Sequence, residues 1–459
     1  ALVSLRPPQG RMAREVLAVA GLFAILVPVF TLDAATPFPA AAALPPVVGA
    51  TLLIWIGSKG GGSMVNALLS RRALVWTGLI SYSLYLWHWP ILAFLRIAYE
   101  TTVLPMTAAI SAVAASIAMA WLSYAFVERP FRAHPSRGLG RRSIFASSAL
   151  SLATVAGFGL TMHFSEGFPA RLPTAATAMA EFAEDINSRR EECFKRAPSD
   201  GLCLIGTPRG ENERVDFLFW GDSHADAFMP GVDKTAGLVN QGGVFAGRSA
   251  CPPILGIQRM SNEQGCKRFN ENVWSWLEGR TDVPLVILGA RWTFYVEGTP
   301  YRGEAEKDWP LEWIGGPETR PSRSDNAAFV EAGLNAMVAS ILATGRSVVL
   351  LGPVPEIGRN VPAASARQVL LGWAHPASVT RKDYEARSGR TERILLRVAD
   401  AQEGVRYVPL SDLFCNANRC RTKNAQGQPL YVDDDHISQT AALNLLPPRL
   451  QEIWLEEQY

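Results

Sequence analysis

Cysteine is missing from the first 192 residues of this 459-residue chain; all six cysteines fall between Cys193 and Cys420. None of them has the Cys-x-x-Cys spacing of a zinc site and only six histidines are present, so no metal centre is expected. Gly-x-Gly-x-x-Gly and Gly-Lys-Ser/Thr are also absent, which leaves the glycine-rich "SKGGGS" at 58–63 as a loop without phosphate-binding character. Nothing in the composition calls for nucleic acid. Charge is missing where lipid would make it costly: the stretches 73–95, 104–127 and 143–162 contain no Asp, Glu, Lys or Arg.

Those three apolar stretches each suffice to cross a hydrocarbon core, which takes about 20 helical residues. Val16–Leu32 and Ala40–Gly57 are shorter further spans, the second with Pro45 and Pro46 near its start, where a helix tolerates proline. Five spans are therefore expected, and the lipid bilayer is the first expected partner. Residues 1–163 carry 12 Lys/Arg against 4 Asp/Glu, whereas the remainder carries 32 against 38. Arginine or lysine marks every second loop: Arg6, Arg11 and Arg14, then Lys59, Arg71 and Arg72, then Arg129 to Arg142. The alternate loops, 33–39 and 99–105, have none. Retention of positive loops in the cytoplasm puts the amino end inside and everything after His163 outside.

The cysteines agree with that orientation. They come as close pairs, Cys193 with Cys203, Cys251 with Cys266 and Cys415 with Cys420, as suits an oxidising compartment. Six cysteines allow 15 pairings, and nearest-neighbour bridging is the expectation. The chain opens on "ALVSLRPPQGR" with no initiator methionine and no cleavable signal, so it reads as a fragment of a larger membrane protein.

A polar juxtamembrane linker is expected over 164–214, and a folded domain over 215–459, long enough for one sizeable core. In that domain short apolar runs at 215–220, 243–246, 284–288, 347–351 and 405–409 alternate with helical patterns, the clearest at 326–345. This alternation implies βαβ units around a parallel sheet, with ligands at the carboxyl ends of the strands. Ser223, in "FLFWGDSHADAF", would lie at such an end.

A serine hydroxyl is a poor nucleophile until a base takes its proton, and the base needs a third group to hold its tautomer. Of the histidines in this half, His224 adjoins Ser223 and should point away from it, and His375 has no nearby carboxylate. His436, in "YVDDDHIS", has Asp433 three residues before it, a spacing that on a turn lets the carboxylate hold Nδ1 and leaves Nε2 for serine. Asp434 and Asp435 read as acidic turn residues, one of which could cap the helix that follows.

"GDSH" after a strand together with "DDDH" near the carboxyl end resembles the SGNH hydrolase family. "ISYSLYLWHWPI" at 80–91 and "FVERPFR" at 126–132 are similar to the closing helices of the acyltransferase-3 family. Fusions of the two O-acylate extracytoplasmic polysaccharides. The resemblance implies a multi-span helical membrane region followed by an α/β, flavodoxin-like three-layer domain with a parallel sheet. It further implies Ser223 as nucleophile, His436 as base and Asp433 as its orienting carboxylate. Gly247 fits the second oxyanion donor, and where the family places an asparagine the chain reads "LGARWTF", so Arg291 and Trp292 are candidates either to supply the donor or, equally, for a structural role under the site. His88, in the membrane half, is a candidate either for structural hydrogen bonding or for handling the acyl group. Residues 1–163 would be the end of an acyltransferase-3 domain plus one added span. The implied reaction moves acetyl from acetyl-CoA to polysaccharide hydroxyls, such as those of lipopolysaccharide O-antigen or an exopolysaccharide, across a bacterial inner membrane and into the periplasm. No cofactor is expected to stay bound. A carbohydrate esterase with the same triad and a non-catalytic glycan-binding module are the other two readings.

Overall fold

The computed structural model describes residues 7–32, 36, 41–58, 62–99, 104–130, 140–196, 198–207, 214–259, 265–302, 308–314, 322–372 and 377–455. His375, Arg132, Arg137 and residues 59–61 of the 58–63 loop lie outside these. The chain divides into two compact units, and the boundary falls between Ser148 and Ala149, inside the helix Arg141–Phe164.

The first unit is helical. Arg11–Thr31 and Leu44–Gly57 meet backbone to backbone, since a Cβ on Gly49 would lie 2.4 Å from the carbonyl oxygen of Gly21. Met106–Ser123 buries Ala108, Ala112, Ser116 and Ala120, a row of small residues four apart, as it packs on Arg72–Tyr99. Close approach through small residues is how helices associate where lipid removes the hydrophobic drive. Among the described residues three helices are long and apolar enough to cross a membrane: Arg11–Thr31, Met106–Glu128 and Arg142–Phe164. Of the five spans expected, Ala73–Leu95 lies in a 28-residue helix whose Trp, Tyr, Ser and His lower its mean hydropathy, and Leu44–Gly57 has only 14 residues. On Arg142–Phe164 none of the apolar stretch is buried, and Phe145, Leu152, Val155 and Phe158 are exposed. Such a surface suits hydrocarbon rather than water.

The second unit is built on a six-stranded sheet. Its strands are β1 (Cys203–Gly206), β2 (Phe217–Gly221), β3 (Gly242–Gly247), β4 (Leu285–Gly289), β5 (Ser347–Leu351) and β6 (Val405–Val408), ordered β1-β3-β2-β4-β5-β6. All neighbours are parallel except β1, which runs antiparallel to β3 at the edge. Continuous apolar runs form the central strands because both faces are covered. Phe217 and Phe219 pack towards the helices Ser223–Leu238 and Gln439–Leu455, while Leu218 and Trp220 pack towards Gly265–Glu278, Asn326–Leu342 and Arg381–Asp400. The result is the three-layer α/β arrangement expected from the alternation of strand and helix runs.

β2 has β3 on one side and β4 on the other, so the chain reverses its winding direction there, and a crevice opens beyond the carboxyl end of β2. Gly221, Gly247 and Gly289 stand level at that edge. A Cβ on Gly221 would lie 1.8 Å from the Gly289 oxygen, so only glycine fits there.

The domain takes in more chain than the five expected strands. β1 and the helix Thr174–Glu181, which packs on Val361–Leu371, both lie within the stretch expected to be linker. Disulfides join Cys193 to Cys203, Cys251 to Cys266 and Cys415 to Cys420.

Candidate active site

Ser223 is the first residue of a helix that starts directly after β2. The N-cap is Asp222, whose Oδ1 accepts the His224 N–H at 2.8 Å. Its Oδ2 accepts the Arg291 N–H at 3.0 Å and the Tyr295 hydroxyl at 2.7 Å, which ties the serine turn to the segment after β4.

The His436 turn is organised by Asp433. Its Oδ1 accepts the N–H groups of Asp435 and His436, at 2.9 and 2.7 Å. Its Oδ2 lies 2.8 Å from His436 Nδ1, and His436 Nε2 lies 2.8 Å from Ser223 Oγ. An imidazole whose Nδ1–H is held by a carboxylate presents its Nε2 lone pair to the serine proton. The turn is anchored in turn by its carbonyls, Asp433 O receiving Val361 N–H and Asp434 O receiving Ile357 N–H. Ser223 and His436 share a cleft of about 330 Å³ with Asn187, Arg190, Asp226 and Ser249.

Charges behind the histidine are close-packed. Asp435 Oδ1 lies 2.6 Å from His436 Nδ1 and 3.7 Å from His224 Nε2, while its Oδ2 is paired with Arg291. Arg291 also donates to Glu356 at 2.6 Å, and Glu356 receives Arg387. Burial alone would lower the pKa of His436, but the charges of Asp435 and Asp433 outweigh it and hold the value well above the ordinary histidine range. Burial would raise Asp435; His436, His224 and Arg291 hold it well below the usual carboxylate range. Asp434 goes the other way, pushed up to about 6 by burial and by its acidic neighbours Asp435 and Asp433.

Residues 189–448 match the family model described as the SGNH domain (fused to AT3 domains), more than half of the chain. The chain belongs to that family. Among curated relatives, the O-acetyltransferase OatA of Staphylococcus aureus is 37% identical over 83 residues, 18% of this chain and 14% of OatA. The chain spans only 14 to 17% of the length of the curated relatives it matches. Solved structures that resemble it include the lipopolysaccharide acetyltransferase periplasmic domain of Salmonella ser. Paratyphi A, at 13% identity and a TM-score of 0.40, covering 61% of this chain and 97% of that one. A GDSL-like lipase from Bacteroides thetaiotaomicron also resembles it, at 13% identity and a TM-score of 0.31, covering 61% of this chain and 100% of that one.

Within this SGNH domain the expected oxyanion donors fare unequally. Gly247 ends β3 in register with Gly221, and Ser249, two residues on, lines the cleft. Trp292 is fully buried and gives its only side-chain donor to Leu351 O at 2.9 Å, so it is a structural residue beneath the site and not the third donor. The Arg291 guanidinium serves Glu356 and Asp435, and its N–H serves Asp222, which fits the structural role. Sequence reasoning missed Asn187, Arg190 and Asp226, whose partnership joins positions 36 and 39 residues apart.

His224, Asp435 and His436, and separately Asp433 to Asp435, place ligand-type atoms within 4.8 Å of one another. Both groups contain Asp435, which already faces the Arg291 cation, so a metal would have to displace that charge. In the first unit, His88 Nδ1 lies 2.8 Å from Tyr85 O and 3.1 Å from Leu84 O, the geometry of structural bonding to its own helix. His88 also lines an apolar cavity of about 510 Å³ between Arg72–Tyr99 and Met106–Ser123.

Proposed function

We propose that this chain belongs to an O-acyltransferase that moves acetyl groups onto hydroxyls of an extracytoplasmic polysaccharide, such as lipopolysaccharide O-antigen or an exopolysaccharide. Ser223 Oγ is the nucleophile, His436 Nε2 takes its proton, and Asp433 holds the imidazole tautomer and balances the imidazolium. The acetyl group comes from acetyl-CoA through the membrane region, of which His88 and its cavity are a part. The SGNH domain, which takes in β1 and the family match over 189–448, faces the periplasm from a bacterial inner membrane.

The observation that carries the reading is the unbroken chain from Ser223 through His436 to Asp433, two contacts of 2.8 Å each, opening into a cleft. The O-acetyltransferase names of the curated relatives support transfer over hydrolysis, and so do helices able to cross a membrane, which an esterase does not need.

The test is Ser223→Ala in the full-length protein, with acetylation of the surface polysaccharide read by mass and NMR. Loss of acetylation is expected; unchanged acetylation overturns the assignment. Release of acetate from acetylated sugar with no transfer to an acceptor would replace transferase by esterase.

A further inference from the structure

His436 Nδ1 has two carboxylates within reach, and they are unlike. Asp433 accepts the directional hydrogen bond at 2.8 Å, but its side chain is 37% exposed, so water screens its charge. Asp435 lies 2.6 Å from the same nitrogen with its side chain only 3% exposed. Its Oδ1 meets His436 as an ion pair, and among the described residues neither it nor His224 Nε2, 3.7 Å away on a side chain equally buried, makes an aligned hydrogen bond. The other oxygen is clamped by Arg291, which Glu356 and Arg387 hold in place. A buried carboxylate with one oxygen held by arginine and the other against an imidazole is a costly arrangement unless that imidazole carries charge.

Proton transfer makes it so. When Ser223 Oγ forms a bond to the acyl carbon, the carbonyl π pair moves onto its oxygen, the serine O–H bond breaks and the proton passes to His436 Nε2, leaving an imidazolium. Charge interactions are several-fold stronger at a buried site than in water. We propose that Asp435 is a positioning residue for this step: its buried carboxylate, fixed by Arg291 and facing His224, supplies the counter-charge to His436, while Asp433 fixes the tautomer. The inference rests on the triad reading given above. The groups that face Asp435 and His436 are His224 and Asp226 on the serine helix, Arg291 after β4, and Tyr431, Asp433 and Asp434 on their own turn.

The experiment follows labelling of Ser223 by a fluorophosphonate across pH in the full chain, which reads nucleophile activation without needing the acceptor. Labelling should rise with pH as His436 loses its proton. Asp435→Asn should slow it by about 10- to 100-fold, within the range for lost electrostatic stabilisation, and should move the midpoint to lower pH. A slower rate with the midpoint unmoved would mean a merely structural role and would overturn the proposal, as would an unchanged rate. His224→Gln, which keeps Asp435, should leave the midpoint within a few tenths of a unit of the parent if Asp435 dominates; it also serves should Asp435→Asn fail to fold, since a large shift in it would transfer the role to His224. If Ser223 is not labelled at all in the parent protein, the triad reading itself fails, a result distinct from failure of the Asp435 proposal.

Discussion

The Tyr295 hydroxyl donates to Asp222 Oδ2 at 2.7 Å across 73 positions of sequence, and Asp222 is only 1% exposed. This bond fixes the residue that precedes the nucleophile, since the same carboxylate caps the helix beginning at Ser223. Tyr295→Phe removes one donor from a buried charge, which should cost about 1.5–3 kcal/mol of stability. Because an error of ~1 Å in placing a reacting group can cost ~10²-fold, the variant should also slow Ser223 labelling more than its stability loss explains. Thermal unfolding and the labelling rate, measured side by side, check both effects.

The two titrations at the site act in opposite directions on stability. His436 is held above its ordinary value of 6.5, so its contribution is complete below that pH and is lost as pH rises through the folded-state value. Asp433 and Asp435 are held below 3.8, so theirs is complete above that pH and is lost as pH falls through their folded-state values. Stability should therefore peak on the acid side of neutrality and decline at alkaline pH. Activity needs neutral His436 and should climb on the alkaline side, with a midpoint above 6.5. A pH–rate profile with its rising limb centred below that value would contradict this balance of charges around His436.

How much of this was legible depended on sequence distance. β2 announced itself because both faces of Phe217–Trp220 are buried, and Ser223 followed from where such a strand must end. His436 and Asp433 were readable because the aspartate that organises a turn and the histidine it holds lie three residues apart. Asp435 read as an acidic turn residue or helix cap; here the turn closed by Asp433 brings both carboxylates to one ring nitrogen. β1 escaped notice because four residues of mixed burial at a sheet edge carry little signal. The expectation that His224 is not the base agrees with its position, 4.7 Å from the His436 ring and facing Asp435. What no local pattern could reveal is a partner contributed from outside the strand-and-helix repeat.

Arg190 and Asn187 are such partners. Asn187 Nδ2 donates to Asp226 Oδ1 at 2.7 Å, and Arg190 pairs with Asp226 Oδ2 on the wall of the cleft. Asp226 is 1% exposed, and burial raises its pKa despite both partners, so its ionised form opposes folding at neutral pH. Arg190→Met removes the balancing cation and with it the guanidinium that stacks on the Phe194 ring at 4.5 Å, while keeping most of the apolar stem. The expected loss at pH 7 is about 1–3 kcal/mol, less than for a fully buried pair because Arg190 is 35% exposed. That loss should shrink as pH falls, since a carboxyl with a raised pKa takes up its proton and no longer needs a counter-ion. Adding Asp226→Asn to Arg190→Met should recover most of the stability at pH 7. If the double variant is instead no more stable than Arg190→Met, the arginine acts through its packing on Phe194 and not through the charge of Asp226.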